Sequence, residues 1–182
     1  MVTLILVPTV WFEWRWQATQ QAANRAVQAI SGRVDAAAEC QRMGGNIFQV
    51  GSELGYVAWQ DGDERGTGAQ AFLIYDTCRD LRGWLFGDKD APTLEEATAV
   101  HIVAHEAMHV AGFRDEAETE CQAMLWDATV AEYLGATPQQ ATDLARTYRE
   151  QIWPRLRSNY RMDCEEVEIW VPGQDPANTE AT

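Results

Sequence analysis

Apolar residues dominate one stretch of the chain above all others: Leu94, Ala97, Val100, Ile102, Val103, Ala104, Ala107 and Met108 leave almost no polar face, the pattern of a buried helix. Thr93 followed three residues later by Glu96 is a capping box that predicts its start. Gly112 predicts its end, because glycine accepts the left-handed backbone that helices adopt at their C-termini. Upstream, Ala22, Ala26, Ala29 and Ile30 recur at helical spacing and predict a long amphipathic helix from Glu13 to about Arg42, stopped by Gly44 and Gly45. Residues 46–50, 56–60 and 71–75 read as short strands, with the polar, glycine-rich DGDERGTG between the last two as a hairpin loop. The stretch after Cys78 to Lys89 is mixed, and two further helices are expected from Glu116 to Leu134 and from Pro138 to about Ser158. The fold class is therefore α+β: a small antiparallel sheet, a long N-terminal helix, one buried helix and C-terminal helices.

With 182 residues, 46% hydrophobic and 23% charged, the chain suits one globular domain, placed at 17–171. Residues 172–182 form a polar tail expected to be disordered, and 1–16 form an apolar and aromatic segment. The run MVTLILVPTVWF is shorter than the roughly 20 residues needed to span a bilayer and has no basic residue before it. It reads either as the remnant of a signal anchor or as a buried element, and Trp11, Trp14, Arg15 and Trp16 would suit a membrane interface. A net charge of −14 argues against nucleic acid as a partner, because it repels phosphate backbones. Cys40, Cys78, Cys121 and Cys164 contain no CxxC pair. Pairing Cys40 with Cys78 and Cys121 with Cys164 is favoured, since each staples neighbouring segments, and disulfides imply an exported or membrane-anchored protein. Four reduced cysteines in a cytoplasmic protein are the alternative.

Inside the buried helix stands His105-Glu106-Ala107-Met108-His109, the HExxH pattern. Residues four apart on a helix are offset by about 40° and 6 Å, so both imidazoles can bind one metal ion. Glu106 lies beside that face, where it can act as general base toward a water, which is why this spacing suits zinc hydrolases. Two histidines and a glutamate on so apolar a helix would be costly to bury without a partner such as a cation. His101, one turn earlier, reads as a structural histidine or a support to the site. A catalytic zinc ion also needs a third protein ligand, and Asp115, Glu116 and Glu120 lie within reach once the chain reverses at Gly112. Tyr148, Tyr160 and Arg161 are available to stabilise an oxyanion.

The HEAMH helix resembles the zincin metallopeptidases, and the spacing of Glu116 and Glu120 resembles the glutamate helix of the gluzincins, with Glu120 where those enzymes usually place Asp. An Asp115 ligand would instead resemble the metzincins, for whose methionine turn Met162 is the only candidate downstream of the helix region. The run HEAMHVAGFRDEAETECQA, with a later LGA, Tyr160 and Cys164, is similar to a group of uncharacterised actinobacterial exported or membrane proteins. These resemblances imply a minimal zincin-like domain, with zinc held by His105, His109 and Glu116, and Glu106 as the catalytic base. They further imply a peptide or protein substrate, with the strand at 71–75 as the edge that pairs with it. The alternative is a non-catalytic, metal-stabilised binding domain, exported or membrane-associated.

Overall fold

The computed structural model describes residues 3–43, 54–58, 68–165 and 167–174. Among the described residues there are five α-helices and a three-stranded sheet that packs on α1 and α3: α1 (Thr3–Ser31), β1 (Ala37–Cys40), β2 (Gly55–Ala58), β3 (Gln70–Leu73), α2 (Tyr75–Phe86), α3 (Leu94–Ala111), α4 (Glu116–Tyr133) and α5 (Pro138–Thr147). A π-helical turn (Tyr148–Ile152) and two 3-10 turns (Trp153–Arg155, Ser158–Tyr160) follow α5. The α+β class read from the sequence is the one observed.

Helix α3 is the centre of the packing. Ala97, Val100, Val103, Ala104, Ala107 and Met108 are fully buried, and the helix lies against α1, α2 and α4. Its ends are those expected: Glu96 N–H donates to Thr93 Oγ1 at 3.1 Å, and Thr93 N–H donates to Glu96 Oε2 at 3.0 Å. Gly112 adopts φ 123°, and its N–H reaches the carbonyls of Met108 and His109 at 3.1 and 3.0 Å. That turn lets the chain reverse, so α4 returns alongside α3.

Two expectations about the amino-terminal half are corrected. The long helix does not run to Arg42: it stops at Ser31, where Gly32 takes φ 68°, and residues 37–40 leave it to form β1. Helix α1 itself holds that strand, through Asn24 Oδ1 accepting from Ala38 N–H at 2.8 Å and Gln28 Nε2 donating to the Ala36 carbonyl at 2.8 Å. The sheet is consequently mixed rather than antiparallel, with order β1-β3-β2, β1 parallel to β3 and β2 antiparallel to it. The strand expected at 71–75 is thus the central one, and among the described residues β2 is an outer strand. The strand expected at 46–50 and residues 61–67 of the hairpin loop lie outside the described residues.

Helix α2 occupies the stretch that looked mixed. Thr77, Cys78, Leu81 and Trp84 face inward while Arg79 and Asp76 pair at the surface, so one narrow apolar stripe suffices. Helix α5 is shorter than expected. Its last turn widens so that Trp153 N–H bonds the Tyr148 carbonyl, just before Pro154, which has no N–H to continue the ladder.

Both favoured disulfides are present, with Cα–Cα separations of 5.8 Å for Cys40–Cys78 and 5.4 Å for Cys121–Cys164. The first joins β1 to α2. The second ties α4 to the C-terminal segment, which also docks through Gln122: its side chain donates to the Glu168 carbonyl at 2.7 Å and accepts from Trp170 N–H at 2.9 Å. No helix among the described residues is long and apolar enough to cross a membrane.

Replacing Thr93 with Ala should lower the unfolding free energy by about 1 kcal/mol, the usual cost of a lost N-cap. Urea denaturation checks this, and an unchanged midpoint would mean that packing alone holds the start of α3.

Candidate metal centre

The reversal at Gly112 decides which acids meet the two histidines of HExxH. Asp115 becomes the N-cap of α4, its Oδ1 accepting from Ala117 N–H and Glu118 N–H at 3.0 Å each, so its carboxylate serves the helix end. Glu116, the next residue, reaches back over α3. Its Oε2 lies 3.2 Å from His105 Nε2 and 3.5 Å from His109 Nε2. One turn further, Glu120 is buried and contacts the other side of His105, with Oε2 3.1 Å from Nδ1.

The remaining ring nitrogens explain why both Nε2 atoms point the same way. His109 Nδ1–H donates to the Phe113 carbonyl at 2.9 Å, and His105 Nδ1–H donates to Glu120. With the Nδ1 atoms so engaged, the two Nε2 atoms are the ones turned toward Glu116. His105, His109 and Glu116 each offer a ligand atom, all within 4.8 Å of one another, and could hold a metal ion. His101, His105 and Glu120 form a second such group, wholly buried.

The two groups differ in what surrounds them. His101 is fully buried, with Nε2 3.1 Å from Glu120 Oε2 and Nδ1 3.0 and 3.1 Å from the two Asp127 oxygens. Both of its nitrogens thus have carboxylate partners, and the Tyr148 ring stacks on it at 3.6 Å. His105, His109 and Glu116 all line a cleft of about 620 Å³, which Glu120 and Tyr148 also border and His101 does not. Glu106, Gly55, Ile102 and Tyr160 share that lining. The cleft-lining group is accessible from solvent; the His101 group reads as the hydrogen-bonded layer behind it.

Glu106 is 2% exposed and abuts β2. A Cβ at Gly55 would stand 2.5 Å from Glu106 Oε1, so any larger residue there would push this carboxylate aside. Tyr160, its ring centroid 6.1 Å from that of His105, lies on the cleft wall. Tyr148 does not have a free hydroxyl, since it donates to Glu120 Oε1 at 2.7 Å. Arg161 is an exposed residue that donates to the Pro154 carbonyl at 3.2 Å. Met162 is 42% exposed and does not line the cleft.

The charges are strongly coupled. Burial opposes a charged His101, yet Asp127 and Glu120 outweigh it and raise its pKa to about 10. Burial likewise opposes a charged His105, and hydrogen bonds to Glu116 and Glu120 raise it to about 9. His105 and His109 lower Glu116 to about 2. Burial works against the charge on Glu120, but His101 and His105 hold it well below the ordinary carboxylate range. Burial pushes Asp127 upward and the His101 charge opposes that push. Burial and Glu120 together hold the Tyr148 hydroxyl far above the ordinary phenol range.

Asp127 and Gly55 were not singled out from the sequence, and Tyr148 was read for a different task. A signal for Asp127 existed: it follows Glu120 by seven residues, two helical turns, and so shares its face of α4. Nothing local marked Gly55. Comparison of the chain with protein-family models, curated proteins and solved structures finds no match.

Because its folded pKa is raised, His101 contributes stability that is fully present below its unfolded value of about 6.5 and is lost as pH rises through about 10. The stability advantage of the metal-free parent over His101→Gln should therefore narrow across that interval. Denaturation midpoints of the two proteins against pH test this, and an advantage that widens with pH would contradict the assignment.

Proposed function

We propose that the protein is a zinc-dependent hydrolase, and within that class a metallopeptidase, with His105, His109 and Glu116 as the metal-holding side chains and Glu106 as general base. The observation that carries this reading is the convergence of His105 Nε2, His109 Nε2 and Glu116 Oε2 in an open cleft whose wall includes the Glu106 carboxylate. Two imidazoles and one carboxylate are a donor set that suits zinc in a catalytic role. A zinc ion held there would supply Lewis acidity and make water a nucleophile near neutral pH.

The chain's own residues supply the rest. Glu106 accepts the proton of the attacking water at its carboxylate and returns it to the leaving amine. Its carboxylate is buried against Gly55 at the cleft, so the base is held in place by the strand beside it. Tyr160, on the cleft wall with its ring 6.1 Å from that of His105, is available to donate to a developing oxyanion. A peptide is the favoured substrate because β2 lines the cleft as an outer strand, and an extended chain can pair with such an edge. The two disulfides favour an oxidising compartment, consistent with an exported or membrane-anchored protein.

Elemental analysis of the purified chain should find near-stoichiometric zinc that falls in His109→Ala and Glu116→Ala and persists in Asp115→Ala. Glu106→Gln should keep its zinc while hydrolysis of a mixed peptide library drops by about 10²- to 10⁴-fold. Zinc that binds no hydroxamate and supports no hydrolysis would favour the metal-stabilised binding domain, and folded protein that takes up no zinc would exclude both. Since the acids around His105 hold its proton up to about 9, zinc affinity should rise with pH below that value. Chelator competition measures the slope, and an affinity that falls with rising pH would exclude His105 as a ligand.

A further inference from the structure

His101 plays no part in the chemistry described so far, yet it is a fully enclosed polar side chain behind the cleft. Its two nitrogens face three carboxylate oxygens at 3.0 to 3.1 Å, and a carboxylate can only accept. With both acids ionised the ring donates in both directions, to Asp127 from Nδ1 and to Glu120 from Nε2. Tyr148 completes the enclosure, its ring covering the face of His101 and its hydroxyl donating to Glu120 Oε1.

The consequence falls on Glu120 Oε2. That oxygen is shared by two imidazoles, at 3.1 Å from His101 Nε2 and 3.1 Å from His105 Nδ1. Two donors from opposite sides, with the Tyr148 hydroxyl on the second oxygen, leave the carboxylate one orientation. In that orientation His105 must donate from Nδ1, and its Nε2 is left for the cleft.

We propose that His101 is a positioning residue for the metal centre: by clamping Glu120 between itself and His105, with Asp127 anchoring the far side, it selects Nε2 of His105 as the metal-binding atom. The inference rests on the metallohydrolase reading for its purpose, and on geometry alone for the clamp. Asp127, His101, Glu120 and His105 form one chain of hydrogen bonds that crosses between α4 and α3 three times. A histidine filling space would need one partner, whereas this one spends both nitrogens on carboxylates from two different turns of α4.

The test compares full-length zinc-loaded parent with His101→Gln and Asp127→Asn. Zinc affinity comes from competition with a chromophoric chelator near neutral pH, and ring ¹⁵N spectra report which nitrogen of His105 is metal-bound. His101→Gln should weaken zinc binding on the order of tenfold, the lower end of the range for groups that orient a ligand. The spectrum of His105 should lose its single Nδ1–H state, while His109, tied to the Phe113 carbonyl, keeps its own. Asp127→Asn should move both readouts the same way by less. Ile30→Ala, a core change in α1, should lower stability and leave both readouts where they were. Unchanged affinity and an unchanged His105 spectrum in folded His101→Gln would overturn the inference. If either variant fails to fold, the parent decides: both ring nitrogens of His101 should carry protons near neutral pH, and a singly protonated His101 overturns it. Should the parent bind no zinc, the functional reading fails, and that same measurement on the metal-free chain still judges the clamp.

Discussion

The carboxylate of Glu120 is the point on which three elements of the molecule close. It stands on α4, accepts from two histidines of α3, and takes the hydroxyl of Tyr148 from the π-helical turn after α5. A charge this deep is tolerated only where donors surround it, because the cost of stripping its water is several kcal/mol. The packing of α3 on α4 is therefore held to the one register in which the donors arrive together. The widened turn at Tyr148–Ile152 belongs to the same constraint, since it delivers the third donor.

Around that point the polar side chains of α3 sort into two layers. His101 and the Nδ1 side of His105 belong to the inner one, closed off by Asp127 and Tyr148. His109, Glu106 and the Nε2 side of His105 belong to the outer one and face the cleft. His105 spans both, so the orientation of the cleft-facing nitrogen is dictated from inside the protein. The turn at Gly112 sets the spacing that makes this possible. It is short, and Asp115 caps the helix that follows, so Glu116 and Glu120 return over α3 one turn apart with only a few residues spent on the connection.

The disulfides brace this arrangement from its two sides. Cys121 follows Glu120 directly and is tied to Cys164, near the segment that carries Tyr160 onto the cleft wall. Cys40 is tied to Cys78, joining β1 to the start of α2. A sheet of three four-residue strands gains much from such a cross-link, because so small a sheet has little apolar area of its own.

Much of this was legible in the chain as written. The capping box at Thr93, the stop at Gly112, the apolar character of α3, the two imidazoles four residues apart and the starts of α4 and α5 all depend on residues within a turn or two of one another, and local patterns report local structure. Other features depend on segments far apart in sequence. Residues 37–40 have the composition of the helix before them and became a strand only because β3 and the side chains of Asn24 and Gln28 hold them. Asp115, Glu116 and Glu120 were all within reach as third ligand of a chain that has turned back, and Glu116 was preferred through resemblance, not through spacing. The angle at which α4 leaves that turn, set by packing against α3, gave Asp115 to the helix end, Glu116 to the cleft and Glu120 to the interior. Spacing along one helix is a property of the sequence; which acid meets which imidazole across two helices is a property of how they pack.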